Sequence, residues 1–502
     1  MTAATRIAKS LPRKHLPRRS RRLRGSHRSG IFVFVFFVAS VSAQAPDRSA
    51  PPKLGPRSAL SLPAIQKRTL SNGLPVWIIE SHDVPLAQVN VAVLSGSGDD
   101  PAGKFGVASL TAAMLDEGAG ARSSLDIADV IEGLGATLTT TSSFDASAIR
   151  LSVPVARLTE ALPILGDVTL RPAFPVKDLE RLRQERLTAL LQARDEPSSL
   201  AATAFARLLF ESHRYGTSAI GTKDTVTSLT ADDLRSFHAV HYVPSNAALI
   251  VVGDVRADAM LPLLERQFGG WRGPAHAAHP RTPLPAPPRQ AHRRLVLVDK
   301  PGAAQSQIRV GWVGVARSTP DYFPIEVLNT VLGGSFTSRL NQNLRERHGY
   351  TYGASSVFDM RRSPGPFLAA AGVQTDKTAD ALREFFSEIL EIRKPTPGDE
   401  LTRAKNYLAL GFPGEFETTG QLSRKLEELV TYGLPDDYFG RYMTSVQAVT
   451  SNQVRAAAAK HIRPAQLMVV VVGDRKVIES GLRSTRLAPV EVLTVDEVLA
   501  GK

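Results

Sequence analysis

The hydrophobic pattern first becomes regular at Val76-Trp77-Ile78-Ile79, and Ala87 to Val93 then alternates with the period of two expected of a half-buried strand. Residues 106–114 keep a helical spacing of apolar positions. A second helix is predicted over 124–134, with Ser124 as its N-cap and Gly135 at its end. The runs 138–143 and 148–153 read as a hairpin, and 179–194 as a long amphipathic helix rich in Leu and Arg, stopped before Pro197. Apolar runs at 249–252 and 469–472 are too short to span a bilayer and read as buried strands. Strands that follow one another without regular crossover helices predict an α+β fold, with a mostly antiparallel sheet layered with helices.

This pattern occurs twice. Leu229-Thr230-Ala231-Asp232-Asp233-Leu234-Arg235 is matched by Val449-Thr450-Ser451-Asn452-Gln453-Val454-Arg455, His241-Tyr242-Val243-Pro244 by His461-Ile462-Arg463-Pro464, and Leu249 to Asp254 by Val469 to Asp474. Every pair is offset by 220 residues, which implies two homologous domains rather than a solenoid of short units. Pro280, Pro283, Pro285, Pro287 and Pro288 mark the stretch between the copies as a stiff linker. The expected organisation is a signal peptide (1–43), a flexible leader (44–65), a first domain (66–272), a Pro-rich linker (273–292), a second domain (293–485) and a tail (486–502).

Composition changes this picture mainly at the N-terminus. A chain of 502 residues is too long for one ordinary core. Its net charge of +13 resembles that of a nucleic-acid binder, yet ten of its 61 Lys and Arg lie within residues 1–30, which hold no acid. Over the rest, 51 basic face 48 acidic residues, so no nucleic-acid partner is expected. The basic segment runs into a 13-residue apolar stretch, 31–43, ending Val41-Ser42-Ala43. These are the parts of a secretory signal with cleavage after Ala43, and predict export, in a bacterium to the periplasm. Membrane attachment is expected only through an uncleaved leader. The chain has no Cys, which excludes disulfides, thiolate metal sites and a cysteine nucleophile.

The helix Gly106-Val107-Ala108-Ser109-Leu110-Thr111-Ala112-Ala113-Met114 carries the most informative signal. Its pattern resembles the zinc helix of the insulinase/pitrilysin peptidases, in which H-x-x-E-H places two metal-binding His at i and i+4 and a water-activating Glu between them. Here those positions read Ser109, Ala112 and Ala113. The resemblance places a third ligand on a later helix, near Ala189, which is apolar as well. No His lies between His82 and His213, so no shift of register restores the site. His238 and His241, and His276 and His279, are spaced by three but lack the accompanying Glu. His461 matches His241 in the repeat, which points to a shared structural role.

In the second copy, Leu332-Gly333-Gly334-Ser335-Phe336-Thr337-Ser338-Arg339-Leu340 passes from a Gly-rich turn into a helix running to Gly349, followed by a strand from Tyr350 to Ser356. The stretch resembles the family's Gly-Gly-x-x-Ser-Arg-Leu and Leu-Arg-Glu segments. The resemblance implies that Arg345 and Tyr352 face the zinc across a peptide cavity, with Gly333, Gly334 and Ser335 beside the substrate. A phenol can donate to the oxyanion of a tetrahedral intermediate, and a guanidinium can hold a carbonyl or carboxylate. Tyr350 competes for the role, because i and i+2 share a strand face.

The resemblance therefore implies a member without its zinc motif, similar to the non-catalytic subunits of heterodimeric bacterial and mitochondrial processing peptidases. Such a subunit carries no cofactor of its own, pairs with a zinc-bearing homologue, and supplies Arg345 and Tyr352 in trans to a peptide substrate added to a sheet edge. Two alternatives stand beside it: a peptide-holding or structural protein with no part in catalysis, and a zinc peptidase with unrecognised ligands.

Overall fold

The computed structural model describes residues 60–273 and 284–500. The expected signal peptide, most of the leader, and the part of the linker that holds His276 and His279 lie outside the described residues.

Two six-stranded sheets form the framework. The first contains β1 (Gln66–Thr69), β2 (Pro75–Glu80), β3 (Leu86–Val93), β6 (Thr137–Ser142), β7 (Ser147–Pro154) and β8 (Ala247–Gly253), in the order β1-β2-β8-β3-β7-β6. A two-stranded ribbon, β4 (Gly118–Ala119) with β5 (Arg122–Ser123), lies apart from it. The second sheet contains β9 (Arg294–Asp299), β10 (Gln305–Val313), β11 (Thr351–Phe358), β12 (Pro366–Gln374), β13 (Met468–Gly473) and β14 (Val490–Leu493), in the order β11-β12-β10-β13-β9-β14. Pairing is antiparallel except for β2 with β8 and for β9 with both β13 and β14. The fold is thus the expected α+β class, with two related halves. The stretch 486–502, read from sequence as a tail, carries β14 and a helix, Val495–Ala500, and buries Val490 and Val498.

The first half adds α1 (Val107–Met114), α2 (Ser124–Gly133), α3 (Leu158–Leu170), α4 (Val176–Asp195) and α5 (Pro197–Phe210). α2 is capped one residue earlier than the sequence suggested: Ser123 Oγ accepts from Asp126 N at 3.2 Å, and Ser123 N donates back to the Asp126 carboxylate at 2.9 Å. That reciprocal pair is a capping box, and Ser124 is already inside the helix. The 220-residue repeat is visible in three dimensions. The helices Ala231–His241 and Ser451–His461 start from Thr230 and Thr450 with the same capping box and lead into β8 and β13.

The strand at 87–93 is not half-buried, because every residue from Ala87 to Val93 is buried. One face, through Val89 and Val91, packs on α1 and α3. The other is covered by a helix from the second half, Thr419–Tyr432, whose Leu422, Leu426 and Leu429 share a core with Ile79, Ala92, Ile250 and Val252. The exchange is reciprocal. α5 leaves the first half and lays Leu200, Ala204, Phe205 and Leu209 on Val296, Val298, Val470 and Val472 of the second sheet. Gly311 on β10 is shaped by this contact, since a Cβ there would come within 2.9 Å of the Phe205 ring and 2.0 Å of Phe367 O.

Polar groups fix the register of the exchanged helix. Glu427 accepts from Arg150 Nε at 2.8 Å and Nη2 at 2.6 Å, and from Asn90 Nδ2 at 2.6 Å. Such a bidentate pair holds direction as well as charge. Asp145 ties the same helix to two loops: it accepts from Tyr432 Oη at 3.0 Å, Arg362 N at 2.9 Å and Tyr215 Oη at 3.4 Å.

Beside this junction, Arg317 donates to Glu428 at 3.0 Å and to Tyr438 Oη at 2.9 Å, and lies 4.0 Å over the Tyr322 ring. Glu326 belongs to the same nest. Burial pushes its carboxyl up to about 7, with Arg317 opposing and Glu428 and Glu415 adding to the rise. The folded state therefore keeps a proton that the unfolded chain releases. Stability from this group is fully present below about pH 4.5 and is lost as pH rises through about 7. Glu326→Gln is expected to leave the urea midpoint unchanged near pH 4 and to raise stability near pH 8 by about 3 kcal/mol.

Candidate functional site

α1 starts where Asp100 receives it. The Asp100 carboxylate accepts from Gly106 N at 2.7 Å and Ala108 N at 2.9 Å, and is paired with Arg214 Nη2 at 2.6 Å. Burial raises the Asp100 pKa, against the pull of Arg214. Ser109 and Ala113 remain partly exposed on α1, while Ala112 is buried. Ala189 lies on α4, which packs alongside α1.

At the position of the chelate motif stands a cation of the chain's own. Arg186, one turn before Ala189 on α4, donates through Nη2 to Ser109 O at 2.7 Å and to Ser109 Oγ at 3.1 Å, and through Nη1 to Gly106 O at 3.5 Å. Two alanines, a serine hydroxyl and a guanidinium do not fit zinc, which takes thiolate, imidazole or carboxylate ligands. Among the described residues, no three or more His, Cys, Asp or Glu stand together to hold a metal ion. Sequence reading missed Arg186 because it is one of several arginines on an amphipathic helix. Its signal was its spacing, since residues three apart on a helix share a face with Ala189.

The histidine pair His238 and His241 lies on the helix that packs on α1, but each ring is spent on structure. His238 Nε2 is 2.9 Å from Thr169 O, and His241 Nδ1 is 3.0 Å from Ser95 Oγ. His461 ends the matching helix and pairs with Asp321 at 2.7 Å, while its carbonyl accepts from Trp312 Nε1. His241 and His461 thus occupy equivalent buried junctions, and burial lowers the pKa of both.

On the second half, Gly333 lets the chain pass against β11. A Cβ there would lie 2.5 Å from Ser356 N, and Gly333 O accepts from that N at 3.0 Å. Gly334 turns back over Asn329, and Ser335 Oγ donates to Thr330 O. The helix expected after the turn is wound wide over Asn341–Arg347, with His348 N donating five residues back to Asn343 O at 3.1 Å. Such windings recur at functional positions.

Arg345 lies 4.2 Å over the exposed ring of Phe336, has Glu346 3.5 Å away, and leaves Nη1 buried without a hydrogen-bond partner. Tyr352 is 91% exposed. The register between β11 and β12 shifts between Thr351 and Ala354, a bulge of the kind that re-aims a side chain. Tyr350 precedes the strand, stacks on His348 at 4.9 Å and packs partly buried on the core.

The outer edge of β11 is closed. Asn341 holds both Ala354 N at 3.0 Å and Ala354 O at 2.8 Å, while Gly333 O and Asn329 Nδ2 take Ser356 N and O. A peptide cannot add as a strand there. In the first sheet, the edge strand β6 pairs with β7 alone among the described strands and lies beside α1.

Comparison with known proteins agrees with these features. The family model described as Insulinase (Peptidase family M16) matches residues 76–223, and that described as Peptidase M16 inactive domain matches residues 228–408. The chain belongs to the insulinase family of peptidases. An uncharacterized zinc protease of Mycobacterium leprae is 28% identical over 405 residues, covering 78% of this chain and 88% of the relative. A Helicobacter pylori protein named non-peptidase homolog YmxG is 22% identical over 410 residues, covering 80% and 92%. A crystal structure described as peptidase M16 inactive domain from Pseudomonas fluorescens matches with a TM-score of 0.76 at 26% identity, covering 82% of this chain and 98% of that one.

Within this family fold, Asp100 is what sets the position of the degenerate helix. Asp100→Ala removes two caps and leaves Arg214 buried without its partner. The expected loss is about 3 to 5 kcal/mol, read from denaturant unfolding, whereas Asp100→Asn retains part of the capping and loses less.

Proposed function

We propose that this chain is an exported, non-catalytic subunit that pairs with a zinc-bearing insulinase-family homologue and presents Arg345 and Tyr352 to that partner's peptide substrate. The observation that carries the reading is the contrast between its two halves. The helix of the zinc motif has no ligands and is bound by an arginine. The second half keeps an outward phenol and a guanidinium whose buried Nη1 has no hydrogen-bond partner among the described residues. An aromatic side chain 91% exposed at a strand bulge contributes little to folding, so its value lies in what it contacts outside the chain.

The chemistry follows from the two groups. The Tyr352 hydroxyl donates to the carbonyl oxygen as it becomes an oxyanion, an interaction stronger in the transition state than in the ground state. Arg345, steadied on the Phe336 ring, holds a peptide carbonyl or carboxylate. Zinc and the water-activating Glu belong to the partner. Main-chain binding of an extended peptide falls to the open edge beside α1 rather than to β11. A relative named as a non-peptidase homologue supports a role without independent hydrolysis.

The test is co-expression with a homologue that retains H-x-x-E-H. Tyr352→Phe and Arg345→Ala are each expected to lower kcat of the complex by about 100-fold with zinc content unchanged. Unchanged hydrolysis by both variants refutes the in-trans role.

A further inference from the structure

Arg186 is a cation without an acid. Its Nη2 is bonded to the Ser109 carbonyl and hydroxyl, and its Nη1 reaches Gly106 O at the limit of hydrogen-bond distance. No carboxylate lies within ion-pair distance of it among the described residues. The acid that acts on it electrostatically, Asp100, is already committed to two backbone amides and to Arg214. A guanidinium has five N–H donors, so Nε and part of Nη1 remain for an incoming group.

The surroundings set what that group is. Burial draws the Arg186 pKa down to about 10, which leaves the side chain charged at neutral pH while exposing the cost of its desolvation. Charges held out of water are ordinarily paired, and neutral helix carbonyls answer only part of that need. Arg186 is not sealed, because it retains partial exposure between α1 and α4. Both forks of a guanidinium use Nη2, which Ser109 occupies, so the remaining Nε and Nη1 donors each offer a carboxylate a single charge-assisted hydrogen bond. Anchoring of the guanidinium to the α1 backbone fixes the direction of these donors, so little further rotamer freedom is lost on binding.

We propose that Arg186 makes the partly exposed surface between α1 and α4 a carboxylate-binding site, which takes the C-terminal carboxylate or an acidic side chain of a bound peptide. The peptide as ligand rests on the functional reading above; the anion preference rests on Arg186 alone. In place of a dication that polarises a scissile carbonyl, this surface offers a monocation that holds a peptide by its charge. The chain then discriminates among peptides at a position remote from Arg345 and Tyr352 in sequence, and on the other half of the molecule.

The experiment uses the full chain and four fluorescently labelled pentapeptides: a free C-terminal acid, its amide, and two amides that differ as Glu or Gln at one internal position. Anisotropy is expected to show at least one acid binding about tenfold more tightly than its neutral counterpart. A preference for the free acid identifies the terminus; a preference for Glu over Gln identifies a side chain. Arg186→Gln abolishes the preference and leaves binding of the neutral peptides unchanged, and Arg186→Lys, which keeps the charge but not the donors anchored on Ser109, retains only part of it. Equal binding of acid and neutral peptides by the wild type, no binding of any of the four, or an undiminished preference in either variant overturns the proposal. The readout is binding by the chain alone, so loss of the in-trans role in hydrolysis would not affect it.

Discussion

Each sheet of this molecule is hydrophobic on both faces, and its own half leaves the second face incompletely covered. The second face of the first sheet is closed by the helix Thr419–Tyr432, and that of the second sheet by α5. Neither half can bury its sheet without a helix from the other, so the duplication is two copies of a sequence and one cooperative structure. Everything at the candidate site inherits this constraint. α4 runs directly into α5, which places the Arg186 helix between the zinc-motif helix and the exchange. Glu427 and Asp145 fasten the reverse crossing with ionic and hydrogen-bonded contacts.

On that rigid frame the two halves have separate chemistry. The first half preserves the position of a zinc helix, through Asp100 at its start and packing on the sheet at its back, while its ligand positions are small and apolar. A guanidinium there is compatible with a folded surface and incompatible with a nearby dication, since like charges at a few ångströms repel strongly in a low-dielectric site. The second half keeps polar groups whose hydrogen-bonding capacity is unmet within the chain. The β11 edge, by contrast, is satisfied at Ala354 and Ser356 by Asn341, Asn329 and Gly333.

Much of this was legible in sequence, and for physical reasons. The α+β class, the offset of 220 and the strands at 76–79, 87–93, 249–252 and 469–472 follow from periodicity and repeated capping residues, which act locally. The family resemblance followed from the 106–114 helix and the 332–356 stretch, and the absence of zinc ligands at Ser109, Ala112 and Ala113 from a fixed spacing on one helix. What local pattern could not show was long-range. The burial of Ala87 to Val93 on both faces depends on a helix more than 300 residues away in sequence. Likewise, Arg186 meets Ser109, and Asn341 closes β11, only through packing of separate elements. The bulge that separates Tyr352 from Tyr350 is a register effect between β11 and β12, with no signature in either strand alone.

The central claim is that this chain keeps an insulinase-family frame but does not chelate metal. The zinc content of the purified full chain, measured by mass spectrometry after equilibration with zinc and removal of free ion, tests it most directly. The account predicts no stoichiometric zinc. One zinc per chain, retained through gel filtration, would contradict it.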